Sequence, residues 1–125
     1  MMSNREVAMT EFDSPAMLKA IDEMDKRNYS AALALLTPLA EAGNPRAQGS
    51  LANLYHFGWG VKADGNKAAE LYVKVAKQNI QDQHLSALAY HSLATLYITG
   101  APGVDPDREK AGQYGKLAKD LGFDM

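Results

Sequence analysis

The chain of 125 residues contains no cysteine. That excludes disulfides, thiolate metal sites and a cysteine nucleophile. No apolar run approaches the roughly 20 residues that a membrane-spanning helix requires. The opening MMSNREVAMTEFDSP has no apolar stretch of the kind a secretory signal carries. Positive charge is scarce as well: 13 Lys and Arg stand against 15 Asp and Glu, a formal net charge of −2. The cations are scattered, and Lys26-Arg27 is the only adjacent basic pair. A duplex nucleic-acid binder carries a basic stripe, and charge-driven membrane attachment needs a basic cluster. Neither nucleic acid nor membrane is therefore an expected partner. No segment alternates apolar and polar residues over a strand's length, so sheet is not expected. A cytoplasmic protein fits these gaps.

What the chain does have is repetition. Residues 47–76 read AQGSLANLYHFGWGVKADGNKAAELYVKVA, and residues 89–118 read AYHSLATLYITGAPGVDPDREKAGQYGKLA. Both run Ala, Leu, Leu-Tyr, Gly, a short turn, Gly-Val, Asp, Lys-Ala and a second apolar stretch. Each copy has the length of one helical hairpin, which cannot bury its apolar face alone and does so by stacking.

Local signals divide the chain into six helices. Ser14-Pro15 opens the first, with Leu18, Ile21 and Met24 on one face, and it ends near Lys26 to Asn28. Tyr29-Ser30 opens the second, which runs to Ala42 with Pro38 expected to kink it and Gly43 to stop it. Asn44-Pro45 opens the third, ending at Gly58. The fourth starts near Asp64, the fifth near Asp82, and the sixth after Asp105-Pro106-Asp107, lasting to about Leu121. Residues 1–13 read as a flexible lead-in, and residues 14–125 as one repeat domain with hairpins at about 14–43, 44–79 and 82–122. Ala40 and Ala76 correspond 36 residues apart, and Tyr55 and Tyr97 correspond 42 apart. The extra residues fall around Gln78 to Gln83, where a helix extension or longer loop is expected.

Ala47-Gln48, Leu51, Leu54-Tyr55, Gly58-x-Gly60-Val61, Asp64, Lys67-Ala68, Tyr72-x-Lys74 and Ala76 together resemble a Sel1-like repeat, a relative of the tetratricopeptide repeat. In the third unit Tyr114 takes the place of a Trp-like position and Gly115 that of the family's Tyr. The resemblance covers about residues 15–122. It implies an all-α fold, a right-handed α-α superhelix built as a short solenoid of about three antiparallel hairpins. It also implies a scaffold or adaptor role, often bacterial, with motif residues that pack helices and carry no catalytic signature.

First helices line the concave face of such solenoids. The stripe opposite the core on the third helix is Arg46, Gly49, Ser50, Asn53 and Phe57, and 42 residues on it is Leu88, His91, Ser92, Thr95 and Thr99. Arg46, Ser50, Asn53, Phe57, Trp59, His91 and Thr95 are therefore the candidate partner-binding residues, for a peptide or protein partner. Phe57 and Trp59 are either exposed anchors or packed against the neighbouring hairpin. Tyr114, Leu117, Leu121 and Phe123 either pack inward or form an end surface open to self-association.

Catalytic patterns are weak. His84 and His91 share a face but lack a third ligand, so no metal is expected. Gly58-x-Gly60 with Gly65 follows a helix and lacks the Gly-Lys-Ser/Thr ending of a phosphate loop. No Gly-x-Ser-x-Gly elbow exists. The acid pairs Asp22/Glu23 and Asp105/Asp107 sit where helix surfaces and caps place carboxylates. No enzyme activity and no cofactor are expected. The competing readings are a small cytosolic immunity or inhibitor protein, a ligand-binding or enzymatic repeat protein, and a self-assembling unit.

Overall fold

The computed structural model describes residues 14–78 and 83–122. Six helices run through them: α1 (Pro15–Asp25), α2 (Tyr29–Glu41), α3 (Pro45–Phe57), α4 (Gly65–Gln78), α5 (Gln83–Thr99) and α6 (Arg108–Asp120). Among the described residues there is no strand, only an isolated bridge between Ala101 and Val104 in the last turn. The chain is all-α.

The helix starts follow from side-chain oxygens that take up unpaired backbone donors. Ser14 Oγ accepts from the Met17 N–H at 3.2 Å. Asn44 Oδ1 accepts from Arg46 and Ala47 at 3.0 and 3.1 Å. Asp64 and Asp107 do the same for Lys67 and Lys110, at 3.1 and 3.0 Å. Pro15 and Pro45 occupy first-turn positions where no donor is needed. Gly58 ends α3 in the left-handed conformation at φ 72°. Pro38 is accommodated inside α2, which continues through it to Glu41. Asp82 and Phe123 lie outside the described residues, as does most of the segment where extra length is expected.

Each helix packs on the next in sequence, and α3 also touches α5. This is the contact order of three stacked hairpins, α1–α2, α3–α4 and α5–α6. Leu36, Leu54, Leu93 and Leu96 are fully buried in the shared core, as are Met17, Ala20 and Ala68. Each such leucine contributes about 1.5–3 kcal/mol relative to exposure. A second apolar cluster, Val75, Ala76 and Ala89, closes the joint between α4 and α5.

Five positions on each second helix correspond between the first two hairpins and lie on the side that meets the following hairpin at Tyr29, Ala40, Gly65, Tyr72 and Ala76. In the first hairpin they are Tyr29, Leu33, Leu36, Thr37 and Ala40, all buried or half-buried. The corresponding residues 36 further on are Gly65, Ala69, Tyr72, Val73 and Ala76, again buried or half-buried. The turn of each later hairpin also settles on the start of the preceding second helix. A Cβ at Gly60 would stand 2.7 Å from the Tyr29 carbonyl carbon, so only glycine permits that approach. In the next joint the Gly65 N–H donates to the Pro102 carbonyl at 2.7 Å. Buried Gln48 adds a further tie, donating from Nε2 to the Ala40 carbonyl at 3.1 Å.

Candidate interaction groove

Because α3 and α5 lie side by side, their outward stripes share one face. The groove floor is built around a buried phenol. Tyr72, on α4, donates its hydroxyl to Asn53 Oδ1 at 2.6 Å, and His56 Nδ1 lies 3.2 Å from the Tyr72 hydroxyl oxygen. Ser92, on α5, also hydrogen-bonds this hydroxyl. One phenol thus joins Asn53 of one first helix to Ser92 of the other. Burial pushes the Tyr72 pKa well above its ordinary 10.0, against the smaller opposite pull of Ser92. Burial likewise holds His56 below its ordinary 6.5. Both groups are kept neutral near pH 7, which suits a structural joint rather than proton transfer.

Around this joint the stripe is small and polar. Ser50 is half-buried and Asn53 exposed. Arg46 and His91 are half-buried and each engaged with neighbouring groups. Thr95 donates its hydroxyl to the His91 carbonyl at 3.1 Å, and Thr99 donates to the Thr95 carbonyl at 3.2 Å. These hydroxyls are satisfied by their own helix.

At one end of the groove stands an aromatic run. His56 stacks on Phe57 (centroids 4.2 Å apart), Phe57 on Trp59 (4.9 Å) and Trp59 on Tyr29 (5.4 Å). Trp59 therefore folds onto the first hairpin and still remains 44% exposed, while Phe57 is 52% exposed. The two alternatives of packing and display hold together: stacking fixes the rings and leaves part of each to solvent.

The structure brings Asn53, Phe57 and Trp59 into one connected network and sets Ser50, His91 and Thr95 along the adjoining helix faces. Sequence reasoning missed His56 and Tyr72 as the floor's support. The available signal was a histidine and a tyrosine sixteen residues apart across the turn, on facing helices. Lys67 over the Tyr55 ring (5.0 Å) and Lys110 over the Tyr97 ring (5.2 Å) are a repeated brace that spacing alone did not mark. Among the described residues no group of three metal-ligating side chains gathers, and no helix is long and apolar enough to cross a membrane.

The sequence profile of the Sel1 repeat matches residues 22–44, 45–80 and 87–123. The chain belongs to the Sel1 repeat family. No curated protein matches it. Among solved structures, this Sel1 chain is similar to c5321, a protective antigen present in uropathogenic Escherichia coli strains and displaying an SLR fold. The TM-score is 0.73 at 24% identity, over 95% of this chain and 25% of that one. The chain thus spans about a quarter of the length of that antigen. It is also similar to a Sel1 repeat protein from Oxalobacter formigenes, with a TM-score of 0.67 at 21% identity, over 98% of this chain and 93% of that one. At such identities the likeness speaks for the fold alone.

Proposed function

We propose that this Sel1 chain is a protein-interaction module, an adaptor that takes a peptide or protein partner along the α3–α5 face. The observation that carries this reading is the Phe57–Trp59 pair, ordered by stacking and still about half exposed. Rings fixed before binding lose little freedom on contact, and aromatic anchors supply much of interface energy. Arg46, Ser50, Asn53, His91 and Thr95 form the polar floor and flank. Sel1 repeats are generally protein–protein interaction modules, which supports the same conclusion. Binding without catalysis goes with it, since His56 and Tyr72, the two groups at the floor whose burial favours the neutral form, are held in hydrogen bonds with each other and with Asn53. Residues 14–125 act as one domain in this reading, and the lack of cysteine suits a cytoplasmic setting.

The test is selection of displayed peptides on the full chain. Phe57→Ala/Trp59→Ala is expected to weaken the selected peptides by about tenfold or more, the scale of a lost hot spot. Thr95→Arg, which places a long side chain on the floor, is expected to block them while far-ultraviolet circular dichroism stays unchanged. Peptides bound equally well by both variants would remove the groove from consideration.

A further inference from the structure

We infer that the outer face of α6 is a docking surface for an acidic helix of a partner protein. This surface is separate from the α3–α5 groove and does not depend on it. Forty-three residues after Gly65, Ala69, Tyr72, Val73 and Ala76, the corresponding positions are Arg108, Gly112, Gly115, Lys116 and Lys119. In the second hairpin Gly65, Tyr72 and Ala76 of this set meet the turn or first helix of the next unit, and Ala69 and Val73 beside them are half-buried. The third hairpin keeps the helix-receiving shape and changes the chemistry. Apolar contacts give way to three cations and two glycines.

Arg108, Gly112, Lys116 and Lys119 are exposed and Gly115 is half-buried. None of the three cations forms an ion pair among the described residues, as Lys26 does with Asp22. Glu109 and Asp120 are one helical position away and flank the stripe without pairing to it. A Cβ at Gly112 would meet nothing within 4 Å, so an approaching backbone finds open space there. From Arg108 to Lys119 the stripe runs about 16 Å along the axis, three turns of a docked helix. Ile98, at 64% exposure on α5, corresponds to His56, which in the preceding unit is buried against Tyr72, the counterpart of Gly115.

Cations reject another apolar unit, and they equally reject a second copy of this face. They fit a helix with Asp or Glu at i, i+3 or i+4, and i+7, and one apolar residue for Ile98. Gly112, between the charges, lets such a helix come close enough for the pairs to form.

The test selects a surface-randomised library of displayed helices on the full chain, in parallel with Lys116→Glu/Lys119→Glu. Both substitutions sit on exposed positions, and circular dichroism checks the fold. Helices dependent on the lysines are expected to be enriched in Asp and Glu at that spacing. Each should lose about tenfold or more in affinity on charge reversal, weaken as salt rises from 0.05 to about 0.5 M, and bind Phe57→Ala/Trp59→Ala unchanged. Absence of lysine-dependent helices, or dependent helices without acidic enrichment, overturns the proposal. So does self-association of the wild type that charge reversal abolishes, because that would assign the face to a second copy.

Discussion

The same five helix positions do opposite work in the second and third hairpins. In α4 they hold Gly65, Ala69, Tyr72, Val73 and Ala76, of which Gly65, Tyr72 and Ala76 are buried and the other two half-buried. In α6 they hold Arg108, Gly112, Gly115, Lys116 and Lys119, all exposed but the half-buried Gly115. The backbone is alike, with helices of 14 and 13 residues. What differs is whether desolvation is favourable. Burying Tyr72 and Val73 releases water from apolar surface. Burying an unpaired lysine would carry a large penalty. A few side chains therefore decide whether such a face favours burial, and the helix beneath them need not change.

The comparison is broken most severely by closing a joint with excess volume. Gly60→Val places a branched side chain against Tyr29 at a residue with φ 75°, and is expected to destabilise by about 3 kcal/mol or more in urea unfolding. The converse change rebuilds a joint where none exists. Gly115→Tyr/Lys116→Val/Lys119→Ala gives three of the five α6 positions the side chains of α4, and sedimentation should then show stronger concentration-dependent association than in the wild type. A smaller effect is expected at the floor: Tyr72→Phe leaves Asn53 Oδ1 without its donor and should lower stability by about 1–2 kcal/mol.

Glycine itself sharpens the contrast. Gly112→Ala, on the open face of α6, is expected to raise stability by about 0.5–1 kcal/mol, the difference in helix propensity. The opposite sign from Gly60→Val, measured in the same assay, would separate a glycine required by close approach from one that is merely permitted. The gentlest probe is pH. The folded-state pKa of His56 is depressed, so below 6.5 the unfolded chain takes up a proton that the folded chain resists. Stability should fall as pH drops through that range, then level off below the folded-state value. His56→Gln should flatten the slope. Tyr72 mirrors this at the alkaline end, where stability should decline above pH 10 as the unfolded phenol ionises first.

Much of the architecture was readable in order along the chain. Ser14-Pro15, Asn44-Pro45 and Asp107 mark helix starts because capping is a contact over two or three residues. Gly58 marks an end for the same reason. The groove's support was not readable that way, because Tyr72 reaches Asn53 and His56 from a different helix and Ser92 from a third. Nor did spacing reveal that Trp59 meets Tyr29, thirty residues earlier, and so becomes fixed and exposed at once. The cations of α6 were visible as letters. Their meaning required knowing which stripe of α4 lies in a joint, and that depends on how neighbouring hairpins rotate against each other.

The bond from the Gly65 N–H to the Pro102 carbonyl has a kinetic consequence. An amide at the beginning of α4 is latched by a loop that belongs to the following hairpin. Its hydrogen exchange should therefore track opening of the C-terminal third of the protein, rather than of the helix in which it resides. Fraying at one end is thereby felt a full hairpin away, and what looks like a row of separable modules unzips as linked pairs.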